Sequence, residues 1–369
     1  MSEKDKKSEK SEKSEKSEKD EKSEKHEDSA ETIEANQESQ KKQRTKKNAL
    51  RTRYLKEKYL RKGMFPMIFC PGCGIGQIMN AMVRALEELQ IDLDNLVFVS
   101  GIGCSGRVPG YMNASGIHTT HGRALAFATG IKLTNPNLKV IVIGGDGDLV
   151  GIGGNHFLHA IRRNLDVTVI AINNFTYGMT GGQASPTSPY RSESAIGTVT
   201  EYPLNISGLA VISGASYVAR YTTAHTIPLI KSIKEALSRP GFCLVEVLSQ
   251  CPTNYGRRNN LRTPIDMLKW YKENTILQKQ KDEPLIPTRI TFNPEEKITI
   301  GEFVKLDKPG LIDNYKNKCR ELKQNYIKRL EQKELEILVH RIKKEGHEPI
   351  EISELKKGRV ENNNECNQY

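Results

Sequence analysis

A carboxylate between two glycines, Gly145-Asp146-Gly147, stands at the end of the apolar run Val140-Ile141-Val142-Ile143. An amide pair, Asn173-Asn174, stands at the end of the next run, Val167 to Ile172. Both runs read as buried parallel strands that stop at a polar turn. In open α/β sheets, ligands bind at such carboxyl ends. A carboxylate from one strand end and an amide oxygen from the next can hold one hard divalent cation. Mg²⁺ takes few protein oxygens and completes its shell from water and phosphate. The two glycines let the backbone come close to that phosphate. Alone, a Gly-Asp-Gly turn or an Asn pair after a strand is ordinary loop chemistry. Together, on consecutive strand ends, they point to a Mg²⁺-phosphate site.

Cysteines form the second constellation. Cys70 and Cys73 bracket Pro71-Gly72 just before a helix start, and Cys104 lies in Gly101-Ile102-Gly103-Cys104-Ser105-Gly106, past a strand end. Cys251 follows the last strand. All four occupy turns between sheet elements, where side chains can converge. Cys243 falls in an apolar strand and reads as core, while Cys319 and Cys366 lie in charged or polar sequence. Spacing leaves three chemistries open. The Cys-x-x-Cys could be a redox dithiol. Four thiolates could hold structural Zn²⁺, although zinc ribbons use two close pairs. They could also hold a 4Fe–4S cluster, which tolerates scattered ligands. A cluster beside the phosphate site would give electrons a destination.

The elements that must position these residues alternate. Residues 75–90 carry a helical stripe of Ile75, Ile78, Met79, Met82, Val83, Leu86 and Leu89. Strands are expected near 96–100, 139–143, 167–172, 217–221 and 243–248. Helices are expected near 122–133, 153–164, 205–213 and 226–238, the last stopped before Pro240. The pattern is that of an α/β fold with a parallel sheet covered by helices on both faces. The stretch 175–200 reads as a polar loop, 262–315 as irregular but ordered, and 316–345 as a charged helix.

A net charge of +11 raises nucleic acid until the charge is located. Ser-Glu-Lys repeats dominate residues 1–25, with four tandem copies at 8–19, and are nearly balanced in charge. Such a segment cannot bury apolar surface and is expected to be disordered. The positive excess begins at 41–47 and continues to Lys62, which reads first as a solvated basic face and second as a segment that binds RNA, a membrane surface or an acidic partner. No apolar stretch reaches the ~18–20 residues that span a bilayer, and the N-terminus has no apolar signal core. A cytoplasmic protein without membrane contact is expected. Its seven cysteines then act as thiols or ligands rather than as a disulfide framework. The domains expected are a low-complexity tail at 1–48, one α/β domain at 49–315, and a charged helical extension with a polar tail at 316–369.

The Gly-Asp-Gly and Asn-Asn pair resembles the signature of thiamine diphosphate enzymes. Cys-Pro-Gly-Cys-Gly at 70–74, the Gly-Cys-Ser-Gly turn, His118-Thr119-Thr120-His121-Gly122-Arg123-Ala124, Gly-Asp-Gly-Asp at 145–148 and Asn173 to Gln183 follow in order. As a set they resemble the β subunit of a 2-oxoacid:ferredoxin oxidoreductase, from about Tyr59 to about Lys316. The resemblance implies a fold for the diphosphate-binding half of thiamine diphosphate enzymes. It implies that Asp146, Asn174 and the Thr176 carbonyl ligate Mg²⁺, and that Gly145, Gly147 and Asp148 line the diphosphate. Gly103, Cys104, Ser105, His121, Gly122, Gly178, Met179 and Thr180 would border the cofactor, and Tyr177 to Gln183 would shape the substrate pocket. Cys70, Cys73, Cys104 and Cys251 would ligate one 4Fe–4S cluster.

The activity implied is CoA-dependent oxidative decarboxylation of a 2-oxoacid, with electrons passed to ferredoxin. Gly178-Met179-Thr180-Gly181-Gly182-Gln183 looks most like the 2-oxoglutarate type, with branched-chain and aryl 2-oxoacids as alternatives. The catalytic carboxylate for the aminopyrimidine would come from a partner α chain, with γ and δ chains as further subunits. Loop 175–183 offers no cation for the distal carboxylate of 2-oxoglutarate; the α chain or Arg191 would supply it. Simpler readings stand beside these. Asp148 could cap the following helix, His118 and His121 could satisfy local backbone, and His156, His159, Arg162-Arg163 and Arg257-Arg258 could be surface. Two other classes compete: a cluster-free, non-oxidative thiamine enzyme, and a zinc-bearing scaffold with RNA-binding tails.

Overall fold

Five apolar runs rich in Val and Ile form the centre of the sheet, because β-branched side chains buried on both faces suit parallel strands. The computed structural model describes residues 50, 52–278 and 297–345. The Ser-Glu-Lys tail, the basic run at 41–47 and the Asn-rich tail with Cys366 lie outside the described residues.

The chain divides into two compact units. One holds the residues up to Met67 together with Tyr111–Asn113. Its helix α1 spans 52–59, and Lys56 Nζ stands 4.2 Å from the centre of the Phe65 ring. The other unit, Ile68–Gly110 with Ala114 onward, carries the sheet.

The strands are β1 (Leu96–Ser100), β2 (Ser115–His118), β3 (Lys139–Gly145), β4 (Val167–Asn173), β5 (Glu193–Ser194), β6 (Gly197–Thr198), β7 (Tyr217–Thr222), β8 (Phe242–Leu248), β9 (Thr275–Leu277) and β10 (Ile298–Lys305). Eight of them form one sheet in the order β2-β1-β3-β4-β8-β7-β10-β9, and β5 pairs with β6 alone. Every pairing from β2 to β7 is parallel, and β10 joins β7 antiparallel. The helices are α2 (Ile75–Glu88), α3 (Val108–Tyr111), α4 (Ala124–Thr134), α5 (Gly154–Arg162), α6 (Ile206–Ile212), α7 (Thr226–Ser238), α8 (Pro264–Glu273) and α9 (Leu311–Lys344).

Alternation along the strands assigns the two faces. Val97, Val99, Val140, Val142, Val167 and Val169 pack with α4, α5 and α6 in one core. Thr168, of opposite parity, donates from Oγ1 to the Ala236 carbonyl of α7. Helices therefore cover both faces, as the alternation in sequence implies.

The region 262–315 departs from expectation. It contains α8, β9 and β10, with a bulge between Glu302 and Val304. A capping box opens α8: Thr263 accepts from the Asp266 N–H, and Asp266 accepts from the Thr263 N–H. Met267 and Tyr271 of α8 are buried against Phe175 in a satellite core. Thr263→Ala is expected to destabilise the fold by about 1 kcal/mol, read as a lower urea midpoint with an unchanged slope.

Candidate active site

β1 and β3 are neighbours although β2 intervenes in sequence, so the strand order reverses between them. That is the switch point where open α/β sheets bind ligands. Because β1, β3, β4 and β8 run parallel, their following loops share one edge. Gly101–Ser105, Gly145–Asp148, Asn174–Thr180 and Cys251 gather there.

Asp146 is 2% exposed. Its Oδ2 lies 2.5 Å from both Ser185 Oγ and Thr187 Oγ1. Burial raises its carboxyl from the ordinary 3.8 to about 6, against the pull of those two hydroxyls. The π-helical turn Gly147–Ile152 begins immediately after it, and such turns often mark functional sites. Gly147 is required by close approach: a Cβ there would stand 2.0 Å from the Tyr177 ring.

The two asparagines divide their work. Asn173 is fully buried and points inward, donating from Nδ2 to Glu246 Oε1 at 2.9 Å. Its Oδ1 lies 2.8 Å from Thr187 Oγ1. Glu246 Oε2 accepts from Ser207 Oγ and from Arg220 Nε at 2.8 Å, and neither Arg220 nor Glu246 is exposed. Asn174 instead lines the cleft, its Oδ1 accepting from the Thr176 N–H at 3.3 Å. Between them Phe175 adopts φ 64°, a conformation that costs a bulky residue about 1–3 kcal/mol. That turn drives its ring into the satellite core, 5.3 Å from Tyr255, and leaves Asn174 and Thr176 at the cleft.

Asp148 neither caps α5 nor points freely at solvent. Its Oδ1 accepts from the Ile102 N–H at 3.1 Å and the Gly122 N–H at 2.8 Å, and lies 2.6 Å from His121 Nδ1. A Cβ on Gly101 would stand 2.2 Å from this carboxylate. Asp148 thus pins the loop after β1 and the His121-Gly122 turn to the loop after β3. Among the described residues its Oδ2 is buried without a partner, so this edge of the cleft still has an acceptor to satisfy.

An open cleft of about 640 Å³ results. Gly103, Cys104, Ser105 and His121 line one side; Gly145, Asp146, Gly147 and Asp148 line the floor. Asn174, Thr176, Gly178, Met179 and Thr180 line the other side. Of the residues singled out in sequence for the cofactor, Gly122 alone stands behind the lining, held by Asp148. Ile75, Ile102, Ile172 and Tyr177 complete the wall. Sequence reasoning missed the first three, and missed Ser185 and Thr187 altogether. The rigid Ser185-Pro186-Thr187-Ser188-Pro189 run was the available signal.

A second cavity of about 690 Å³ is lined by Cys70, Cys73, Cys104 and Cys251, all as free thiols. It shares Cys104, Asn174, Gly178 and Met179 with the cleft. Burial pushes the Cys73 thiol up to about 12 and raises Cys104 and Cys251 as well. Among the described residues, no three His, Cys, Asp or Glu side chains meet as ligands of a single metal ion. Other residues named from sequence lie elsewhere. His118 Nδ1 contacts Ser100 Oγ at 3.1 Å, and His156, His159 and Arg162 belong to α5. Arg191 lies over the Tyr190 ring.

The thiamine pyrophosphate enzyme, C-terminal TPP binding domain family matches residues 101–247. The chain is 50% identical over 273 residues to 2-oxoglutarate synthase subunit KorB of Methanocaldococcus jannaschii, covering 72% of this chain and 97% of that one. It is 42% identical over 258 residues to subunit beta of 2-oxoacid:ferredoxin oxidoreductase 2 of Aeropyrum pernix, covering 69% and 81%. Among solved structures it resembles the 2-oxoglutarate:ferredoxin oxidoreductase of Magnetococcus marinus with 2-oxoglutarate, coenzyme A and succinyl-CoA bound. There the TM-score is 0.66 at 32% identity, over 74% of this chain and 95% of that chain.

Proposed function

The chain belongs to the family of 2-oxoacid:ferredoxin oxidoreductase β subunits, and from that premise we propose that it serves CoA-dependent oxidative decarboxylation of 2-oxoglutarate to succinyl-CoA. One observation carries the reading. A buried carboxylate, Asp146, opens with Asn174 onto a cleft whose wall is also the wall of a four-cysteine hole. The names of relatives at this identity support 2-oxoglutarate over branched-chain or aryl 2-oxoacids.

The donors present fit Mg²⁺ and a diphosphate. Among the described residues Asp146 has hydroxyl and backbone partners and no ion pair. Asp146, Asn174 and the Thr176 carbonyl would hold the metal, and Gly145 and Gly147 would admit the diphosphate. Asp148 keeps the Gly101–Ser105 and His121-Gly122 loops in place. Ile75, Ile102 and Ile172 give the same cleft an apolar wall. When bound, thiamine diphosphate supplies the carbon nucleophile on which a 2-oxoacid loses CO₂.

The cysteines fit a 4Fe–4S cluster better than zinc. Zinc draws four thiolates to one point at about 2.3 Å each, whereas a cluster needs them around a hole. When bound, a cluster takes up electrons singly for delivery to ferredoxin. The thiols raised by burial need such a cationic centre to ionise. Arg191 stands outside the lining of the cleft, so the cation for the distal carboxylate is assigned to the α chain. The aminopyrimidine carboxylate is assigned there too.

The test is an anaerobic assay of the complex captured through this chain, following CoA-dependent reduction of a low-potential viologen. 2-Oxoglutarate, pyruvate, 2-oxoisovalerate and an aryl pyruvate form the panel, with iron, sulfide and thiamine diphosphate content measured first. Preference for 2-oxoglutarate is expected. Another preferred acid overturns the substrate, and a complex without iron and sulfide overturns the electron path. Gly147→Ala drives a methyl into Tyr177, and overpacking on the order of 1–3 kcal/mol is expected to weaken thiamine diphosphate binding at least about fivefold. Titration by fluorescence quenching reads it, and adding Tyr177→Ala should recover part of the affinity.

A further inference from the structure

The cleft and the four-cysteine hole are joined by more than a shared wall. The π-helical turn Pro252–Gly256 follows Cys251 directly. From it, Asn254 Nδ2 donates to the Gly178 carbonyl at 2.7 Å. One turn on, Arg258 Nη2 donates to the Gly181 carbonyl at 3.0 Å. Arg258 Nη1 is in turn held by the Asn254 carbonyl at 3.1 Å and by Asn254 Oδ1 at 3.2 Å.

The loop Gly178–Gly182 therefore hangs from the segment that carries Cys251. Gly178 is itself the partition. A Cβ placed on it would stand 3.5 Å from Cys251 Sγ, 3.7 Å from Asn174 Nδ2 and 3.9 Å from Cys104 Sγ. A shift of the Cys251 segment moves a carbonyl on the cofactor side, and ordering of the cofactor loop restrains Cys251.

We propose that occupancy of the cleft and of the cysteine hole is thermodynamically coupled through the Asn254–Gly178 brace, with Asn254 a positioning residue for both. The inference rests on the thiamine diphosphate and cluster reading above. Linkage makes the coupling reciprocal in free energy: bound thiamine diphosphate tightens the hold on the cluster, and loss of the cluster weakens thiamine diphosphate binding by the same factor; the tighter hold is read below as slower extraction. Asn254 and Arg258 use neutral carbonyl acceptors on the loop, so the effect is mechanical rather than one of charge.

The experiment uses the complete complex, purified anaerobically. A ferrous chelator is added, and loss of visible iron–sulfur absorbance is timed with and without saturating thiamine diphosphate and Mg²⁺. In the wild type, thiamine diphosphate is expected to slow extraction at least about fivefold, the low end of ordinary coupling. In Asn254→Ala, with initial iron content and melting temperature retained, the protection falls below about twofold, as loss of the two side-chain hydrogen bonds of the brace allows. If Asn254→Ala fails to assemble, Arg258→Gln carries the same comparison through Gly181. Equal extraction rates with and without thiamine diphosphate in an iron-loaded, thiamine-binding wild type overturn the coupling alone. Undiminished protection in a variant overturns the role of the brace. A wild-type complex without iron overturns this inference together with the function it rests on.

Discussion

Asp146→Asn is expected to cost the captured complex at least about a thousandfold in turnover, about 4 kcal/mol at 1.36 kcal/mol per tenfold. The substitution keeps the shape of the side chain and an oxygen that Ser185 and Thr187 can reach. It removes the negative charge that Asp146 would offer to Mg²⁺ under the proposed function. Loss of activity alone would fit simple unfolding, so the second readout is stability without cofactor. Asp146 titrates at about 6 in the fold against an ordinary 3.8. Its folded-state value is raised, so the cofactor-free protein loses stability as pH rises through that interval. The gap corresponds to on the order of 3 kcal/mol. The Asn variant should match the wild type below pH 4 and exceed it by that order above pH 6, in urea titrations of the cofactor-free complex. A variant less stable than the wild type across the whole range would show that Asp146 is structural.

Glu246→Ala is expected to destabilise the fold by about 3–5 kcal/mol, because Arg220 is then left buried and uncompensated. The loss spreads further. Asn173 and Ser207 also donate to Glu246, and Arg220 also donates to the Thr299 carbonyl and to Asn205. Replacing both charged partners with apolar residues should therefore leave much of the deficit, since the Asn173 amide and the Ser207 hydroxyl lose the carboxylate they donate to. Denaturant unfolding of the single and double variants measures it. Recovery by the double variant would mean that the pair is dispensable once removed together. The chain Asp146–Thr187–Asn173–Glu246–Arg220 also predicts a weaker cofactor site in any variant of the pair that still folds.

The sheet and most of the site were legible because each strand that matters is a short, apolar, β-branched run that ends abruptly. Gly145, Asn173 and Cys251 each mark such an end, and parallel pairing then places them on one edge. What escaped had a weak local signal or none. β10 is an antiparallel strand paired across the sheet with β7, and α8 is a ten-residue helix with a polar exposed side. Asp148 invited a capping role from its position before a helix. Its actual partners include the Ile102 N–H, 46 residues away. The contributions of Ser185 and Thr187 depend on a loop folding back over Asp146, and Ile75 reaches the cleft from the first turn of α2. Such placements follow from tertiary packing, not periodicity.

The position of β7 has a bearing on how the chain acquires this architecture during synthesis. Its neighbours in the sheet, β8 and β10, both come later in the chain. As the polypeptide emerges, β1 to β4 can assemble, but Tyr217–Thr222 waits with both edges unpaired until Phe242–Leu248 arrives. An unpaired strand of this kind is a template for association with other chains. The strand that rescues it is also the one that delivers Cys251. Pairing of the exposed strand and completion of the four-cysteine set are therefore decided together, once Cys251 has been made.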